Sequence, residues 1–206
     1  MASVDAAERP KRRDPIDLSG AHIPGTSLSH TNLAGSDFSH ANLSRVNFEG
    51  SNLREADFRE AKLIEANLTG TDLSKANLRD ANLTGATLYT SASDGADMSH
   101  ADLSDACIEG LDLSKVIGLT WRQFLEASFD ETTVPPGYLT EEDLLHLLER
   151  TEPSVPWRHE FSGKVKNLLR ELAAFGKSGQ GGSILDRLMV IRVQREMDER
   201  QRERDD

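Results

Sequence analysis

The sequence is poor in cysteine and in aromatic residues. It has one cysteine, Cys107, so no disulfide can form within the chain, and this favours a reducing, cytoplasmic setting. Only 5% of the residues are aromatic against 37% hydrophobic, so small aliphatic side chains must fill the core. No apolar run approaches the length of a membrane span, and no apolar segment follows the N-terminal charges as it would in a secretory signal.

Basic residues are scarce relative to acidic ones. The 206 residues include 24 Lys and Arg against 35 Asp and Glu, which gives a net charge of −11. This balance disfavours direct binding to nucleic acid or to an anionic membrane, because both carry negative charge. It fits a protein partner with a basic groove.

Motifs for catalysis and for cofactors are missing as well. The Gly-Lys-Ser run at 176–178 lacks the earlier glycine of a phosphate loop, since residue 171 is Glu. No G-x-S-x-G motif occurs, and Cys107 has no fixed base nearby. We therefore predict no enzyme, no cofactor and no metal. The alternative, an active site on the C-terminal helices, has no motif to support it.

Residues 16–115 form twenty tandem repeats of five residues without an insertion. The third position is Leu, Ile, Phe or Met in nineteen repeats, and the second is most often Asn or Asp. The first position is Ala, Ser, Thr or Val, except for Ile16 and Leu111 at the two ends. This period fits neither a helix nor a strand. It predicts a chain that turns a corner every five residues, so that four repeats close one square coil and residues twenty apart stack. Ser93, the exception at the third position, predicts either a distorted corner or an exposed bulge.

The A-(D/N)-L-x-x pattern of these repeats resembles the pentapeptide repeat family. The resemblance implies a mainly β fold, the right-handed quadrilateral β-helix, and twenty repeats at four per coil give about five coils of this solenoid. The Gly118-Leu119-Thr120 segment with Gln123, and the D-x-x-T stretch that starts at Asp130, resemble the segment that often follows the last coil in such proteins. That likeness implies a cap on the solenoid, and Thr120 with Gln123 predicts a capping box on its short helix.

The chain accordingly divides into four parts. We expect a disordered N-terminal segment over 1–15, the pentapeptide-repeat β-helix over 16–115, a capping helix and loop over 116–138, and a C-terminal α-helical module over 139–206.

Stacking predicts a row of carboxylates on one face of the solenoid. This acidic ladder consists of Asp17, Asp37, Asp57 and Asp97, with Asn77 before the last. Like charges about 5 Å apart repel by roughly 0.8 kcal/mol even in water, so a fold would not accumulate them for stability. Two interpretations stay open. The side chains bond the nearby backbone and fix each corner, or they form an acidic strip that binds a basic groove.

The last predicted helix carries a wide apolar stripe that includes Leu185, Leu188, Met189 and Val193. It packs on the two preceding helices, or it docks on a partner helix or on a second copy of the chain, which would make a homodimer. We therefore expect a non-catalytic protein–protein interaction protein, with a rigid acidic solenoid as binding surface and a helical tail for docking or assembly.

The family resemblance also implies an alternative function. Some pentapeptide proteins mimic DNA and bind DNA gyrase or topoisomerase IV, which alters quinolone sensitivity. The acidic ladder and the net charge are compatible with this, but five coils are short for a duplex mimic, and the tail is longer and differently built.

Overall fold

The structure is a computed structural model that describes residues 15–130, 132–139 and 143. Nearly all of the predicted N-terminal segment and of the predicted helical module lies outside these residues. The expectations of disorder over 1–15 and of three helices over 139–206 therefore stay predictions.

The repeats form a β-helix in which each coil takes twenty residues. Sixteen parallel bridges join second-position residues that lie twenty apart, from Asp17 with Asp37 to Asp97 with Ile117. In each pair, the later residue donates its N–H to the preceding coil and accepts a hydrogen bond from that coil at its carbonyl, as in Asp37 N to Ile16 O (2.9 Å) and Leu18 N to Asp37 O (2.7 Å). Each side of a coil is one bridge long, because the chain turns before a longer strand can form.

The corners require the left-handed backbone conformation at the fifth position. Eight glycines and eleven other residues adopt it there, with φ between 53° and 71°, in every repeat except the last. Left-handed backbone costs a non-glycine residue about 1–2 kcal/mol. Stacking of successive coils must offset that cost many times over, so the solenoid is stable only as an assembly of coils.

Third-position side chains fill the interior in columns. The rings of Phe38 and Phe58, twenty residues apart, stack with centroids 4.9 Å apart and planes 5° apart. Phe48 meets both edge-on, at 5.7 and 5.9 Å. All three side chains are fully buried, which confirms the predicted column and its register.

Ser93 lies inside the core and not on a bulge. Its residue is 2% exposed, and its hydroxyl donates to the carbonyl of Asp112 at 3.2 Å. In a regular coil, the carbonyl of Asp112 would accept a hydrogen bond from the backbone N–H of Ser93, as part of a bridge between Ala92 and Asp112. Within the described residues that bridge is absent. The corner at Ser93 is therefore locally distorted, as one of the two interpretations predicted, and the prediction of an exposed bulge is wrong.

The ladder of bridges continues past Lys115, beyond the end of the repeats. Ile117 pairs with Asp97, Ser128 with Cys107 and Val134 with Asp112. On the side between the first two bridges, helix α1 (Trp121–Glu126) takes the place of a bridge. The segment predicted as a cap is thus a further, irregular turn of the same β-helix.

Side chains complete the hydrogen bonds that this irregular turn leaves open. Gln123 Nε2 donates to the carbonyls of Met98 (3.0 Å) and Ala101 (2.8 Å), the second of which would otherwise meet a backbone N–H. The Asp130 carboxylate accepts from Gly110 N–H at 3.1 Å. Helix α1 begins with the predicted capping box between Thr120 and Gln123, which is confirmed, and it buries Trp121.

Candidate partner-binding surface

The acidic ladder exists as a continuous column. Parallel bridges join Asp17 to Asp37, Asp37 to Asp57, Asp57 to Asn77 and Asn77 to Asp97, so neighbouring side chains follow each other at the spacing of adjacent strands, about 4.8 Å. Asp17 is exposed and the other members are half-buried. The sequence therefore placed these four carboxylates correctly on one side of the solenoid.

One oxygen of each ladder carboxylate is bound to the turn that follows it. Oδ1 accepts from the backbone N–H two residues later, at 3.0 Å in Asp17, 2.8 Å in Asp37, 3.0 Å in Asp57 and 3.0 Å in Asp97. Asn77 makes the same bond at 3.3 Å, and so do second-position Asn and Asp on the other sides. The corner-fixing interpretation is therefore correct. It explains Asn and Asp equally, because both carry the required oxygen.

Arginine side chains neutralise part of the ladder. Arg59 Nη2 lies 2.7 Å from Asp57 Oδ2, and Arg79 Nη1 lies 3.8 Å from Asp97 Oδ2. Burial alone would raise the pKa of Asp57, but hydrogen bonds from the side chain and backbone of Arg59, with its charge, lower that pKa below its ordinary value. The backbone N–H of Ser19, followed by its hydroxyl, lowers the pKa of Asp17. These two carboxyls are ionised at neutral pH.

Charge is distributed along the solenoid axis even more unevenly than between its faces. Residues 45–79 contain six acidic and six basic residues, whereas residues 80–114 contain seven acidic residues and neither Lys nor Arg. In the first segment, ion pairs link successive coils, as in Arg45 with Glu65 (2.7 Å) and Arg54 with Asp72 (3.3 Å). The second segment has no base of its own to do this. We call residues 80–114 the acidic segment.

A cavity of about 590 Å³ opens where helix α1 replaces a bridge. Its lining includes His100, Asp102, Ser104, Arg122 and Glu126, so it presents both signs of charge. Burial would raise the pKa of Asp102, but the Ser104 bonds, the Thr84 hydroxyl and the Arg122 charge lower it.

Sequence reasoning missed this cavity, because it forms where the irregular helix α1 lies beside a regular coil, and the repeat pattern does not predict that packing. The loss of the five-residue period at α1 was the only signal of it in the sequence.

The remaining predicted site residues lie outside the described residues. These are Leu185, Leu188, Met189 and Val193, so their role in docking or dimerisation stays a prediction. Within the part of the chain that the structure describes, no group of His, Cys, Asp and Glu could hold a metal ion. The same residues contain no helix that is long and apolar enough to cross a membrane.

Comparison with known proteins identifies the repeats. A family model described as "Pentapeptide repeats" matches in eight copies, over residues 16–50, 51–88 and 94–117. Residues 16–117 of this chain are therefore pentapeptide repeats. Pentapeptide repeat proteins are generally structural or binding proteins rather than enzymes. Among curated proteins, none matches the chain significantly.

Solved structures similar to this chain are pentapeptide repeat proteins. Rfr23 from the cyanobacterium Cyanothece 51142 is 27% identical, with a TM-score of 0.50, over 58% of this chain and 90% of its own. A protein from the thylakoid lumen of Arabidopsis thaliana is 24% identical, with a TM-score of 0.41, over 64% of this chain and 77% of its own. QnrB1, a plasmid-mediated fluoroquinolone resistance protein, is 22% identical, with a TM-score of 0.31, over 68% and 72%. The fold is the right-handed β-helix of this family.

Proposed function

We propose that this protein is a non-catalytic binding protein whose rigid acidic solenoid is recognised by a basic groove on another protein. The observation that carries the proposal is the charge of the repeats. Residues 16–115 hold 15 acidic and 7 basic residues, a net of −8, and seven of those acidic residues lie in the acidic segment. A fixed row of like charges raises the rate and the specificity of association with a surface of the opposite sign.

The acidic ladder suits this role because it is held in place before any partner arrives. Each ladder Oδ1 is bound to its own turn, so the carboxylates lose little side-chain freedom on binding. Asp97 belongs to both the ladder and the acidic segment, and we place the centre of the surface there. Under this proposal the helical tail docks or assembles, the protein works in the cytoplasm, and it needs no cofactor.

The chain offers a clean test of the ladder. Asp→Asn substitution removes the charge and keeps an Oδ1 acceptor for the turn, so a triple variant Asp37→Asn, Asp57→Asn and Asp97→Asn should fold normally. The matched control changes Asp72, Asp102 and Asp112 to Asn, which removes three second-position carboxylates from the other sides.

Binding to proteins captured by the immobilised full chain is measured with both variants as the salt concentration rises. We expect the ladder variant to lose most of the captured protein at low salt while the control retains it. Equal loss in both would mean that net charge and not the ladder drives binding. If neither variant loses captured protein, the proposal that the acidic surface binds the partner is overturned.

A second function, binding to DNA gyrase or topoisomerase IV as a mimic of DNA, is favoured by the charge of the acidic segment. Purified gyrase is assayed for supercoiling with this protein in several-fold molar excess, and the ladder variant serves as the control. Inhibition or protection by the wild-type chain but not by the variant would support this function. An unchanged rate with both proteins would remove it.

A further inference from the structure

The first coil, residues 16–35, leaves one end of the hydrophobic core open. Ile16 is 45% exposed, and Leu18, Ile23 and Leu28 are only partly buried against the core. Their counterparts one coil later, Phe38, Leu43 and Phe48, are 0% exposed. The open apolar end is therefore a property of the first coil and not of the repeat.

The first coil also has backbone N–H and carbonyl groups that face away from the second coil. In later coils, every second-position residue except Asp112 uses its N–H and its carbonyl to pair with the preceding coil, as Asp37 does with Ile16 and Leu18. Asp17, His22, Ser27 and Asn32 have no preceding coil among the described residues. Each of them thus presents one donor and one acceptor at the edge, side by side.

The repeat pattern does not extend upstream to supply another coil. In phase with the repeats, residues 1–15 put Ser3, Glu8 and Arg13 at the third position, which is apolar in nearly every true repeat. They also put Pro10 and Pro15 at the fifth position, where φ must be positive. Proline is fixed near φ −65° and cannot adopt that conformation. The sequence before Ile16 therefore does not continue the pentapeptide pattern.

Charge is depleted in the first coil. It holds one charged residue, Asp17, whereas residues 56–75 hold seven. Depletion of charge around an apolar centre is characteristic of the core of protein interfaces. A nearly neutral end also suits a second identical end, because two strongly acidic ends would repel each other.

We propose that the first coil is the interface of a homodimer in which two copies meet end to end about a two-fold axis. In an antiparallel pair, a residue exchanges both its N–H and its carbonyl with the residue opposite. The second-position residues of the first coil offer both groups at one edge, as a two-fold related copy requires. The contact joins two half-closed cores into one, and it is separate from the C-terminal residues 139–206.

The test measures association of the full-length chain by sedimentation over a range of concentrations in the micromolar region. Two separate variants, Ile16→Lys and Thr26→Lys, place an ammonium group at exposed first-position sites of the first coil. The controls are Ile117→Lys, at an exposed isoleucine near the other end, and Leu188→Lys in the tail.

We expect a wild-type dimer whose dissociation constant rises about tenfold or more in both first-coil variants, because an unpaired ammonium group resists burial. Ile117→Lys should associate like the wild type, and Leu188→Lys should weaken association less than either first-coil variant does. Melting curves of the variants should match the wild type, since the changed side chains are exposed in the single chain. Hydrogen exchange provides a second measurement, in which the amides of His22 and Ser27 become protected as concentration rises.

Three results would overturn the proposal. The first is a wild-type chain that stays monomeric at every concentration. The second is dissociation by Leu188→Lys but not by Ile16→Lys or Thr26→Lys, which would place the contact in the tail. The third is a dimer that none of the four substitutions weakens.

Discussion

The two ends of this β-helix are closed to different degrees, although the same five-residue pattern leads to both. At the C-terminal end, Trp121, Phe124, Leu125 and Phe129 are at most 5% exposed and cover the last regular coil. At the other end, Leu18 and Ile23 are only partly buried. In the first coil, which has a described neighbour on one side only, three of the four third-position residues stay partly exposed.

Closure of the C-terminal end comes from departures from the repeat. Helix α1 buries Trp121, Phe124 and Leu125, whereas a repeat buries one large apolar residue at its third position. Side chains then replace backbone partners, with Gln123 donating to Ala101 and Asp130 accepting from Gly110. Tyr138 also accepts from Leu119 N–H at 2.8 Å. The solenoid therefore ends where its repeat pattern is broken.

Truncation of a core residue should give the largest difference in stability between the closed end and the open end. We expect Phe124→Ala to lower the free energy of unfolding by about 3–5 kcal/mol, because it empties a fully packed site. Leu18→Ala at the open end should cost less than about 2 kcal/mol, since Leu18 is already partly exposed. Urea unfolding of the two variants measures the difference. Equal losses, measured at concentrations where the chain is monomeric, would mean that the first coil is covered within the single chain.

Glycine substitution gives the next largest contrast. A Cβ on Gly118 would lie 1.9 Å from Ser99 Oγ and 2.9 Å from its Cα, and φ there is +75°. A Cβ on Gly20 meets nothing within 4 Å, at φ +64°. We expect Gly118→Ala to cost about 3 kcal/mol or more, and Gly20→Ala only the backbone cost of about 1 kcal/mol. Thermal melts of the pair check this, and the reverse order would contradict the close packing of Ser99 on Gly118.

Removal of one donor at the closed end should have a smaller effect. Gln123→Glu keeps an acceptor for Thr120 N–H but loses the Nε2 group that bonds the carbonyls of Met98 and Ala101. We expect a loss of about 1–3 kcal/mol, because a part-buried carbonyl is left without its partner. Hydrogen exchange across 117–126 should rise in this variant and stay unchanged over residues 16–35. Faster exchange in the first coil alone would contradict this assignment.

Acid should loosen the closed end with the smallest effect of the four. Burial would raise the pKa of Asp130, but bonds from the Thr132 hydroxyl, Gly110 N–H, Thr133 and Thr132 N–H lower it below 3.8. A carboxyl whose folded pKa is lowered stabilises the fold fully above its unfolded value and loses that stabilisation as pH falls through the lowered pKa.

We therefore expect stability to decline as pH falls below about 4, the ordinary pKa of an aspartate, and Asp130→Asn to flatten part of that decline. Denaturant unfolding at a series of pH values measures both slopes. A variant whose pH slope equals that of the wild type would show that Asp130 contributes no pH-dependent stability.

Sequence reasoning located most of the fold because every repeat makes the same local contacts. Each third-position side chain enters the core and each second-position Asn or Asp binds its own turn, so one repeat predicts the next. The stacked pair of Phe38 and Phe58 and the capping box of Thr120 followed from spacing alone. Local rules of this kind can be read from the chain because the interacting groups lie two, three or twenty residues apart at fixed intervals.

Other features were decided only in three dimensions. One example is the cavity beside α1, and another is the pair of side chains, Gln123 and Asp130, that bond the last coil. Both depend on where the irregular segment after Lys115 pairs with the regular coils, and the five-residue pattern does not predict that position. Ser93 could be assigned to the core only once the carbonyl of Asp112 was seen to accept its hydroxyl. The pairing of Arg59 with Asp57 likewise depends on which way a long side chain turns.

The sequence by itself determined the coil, its register and the position of the acidic ladder, because a five-residue period with a fixed inward residue allows one way to stack. Only the tertiary structure decided how each end is closed and which carboxylates are neutralised. Those outcomes rest on side-chain directions and on irregular contacts that the five-residue pattern does not specify, and on whether a coil lies on each side.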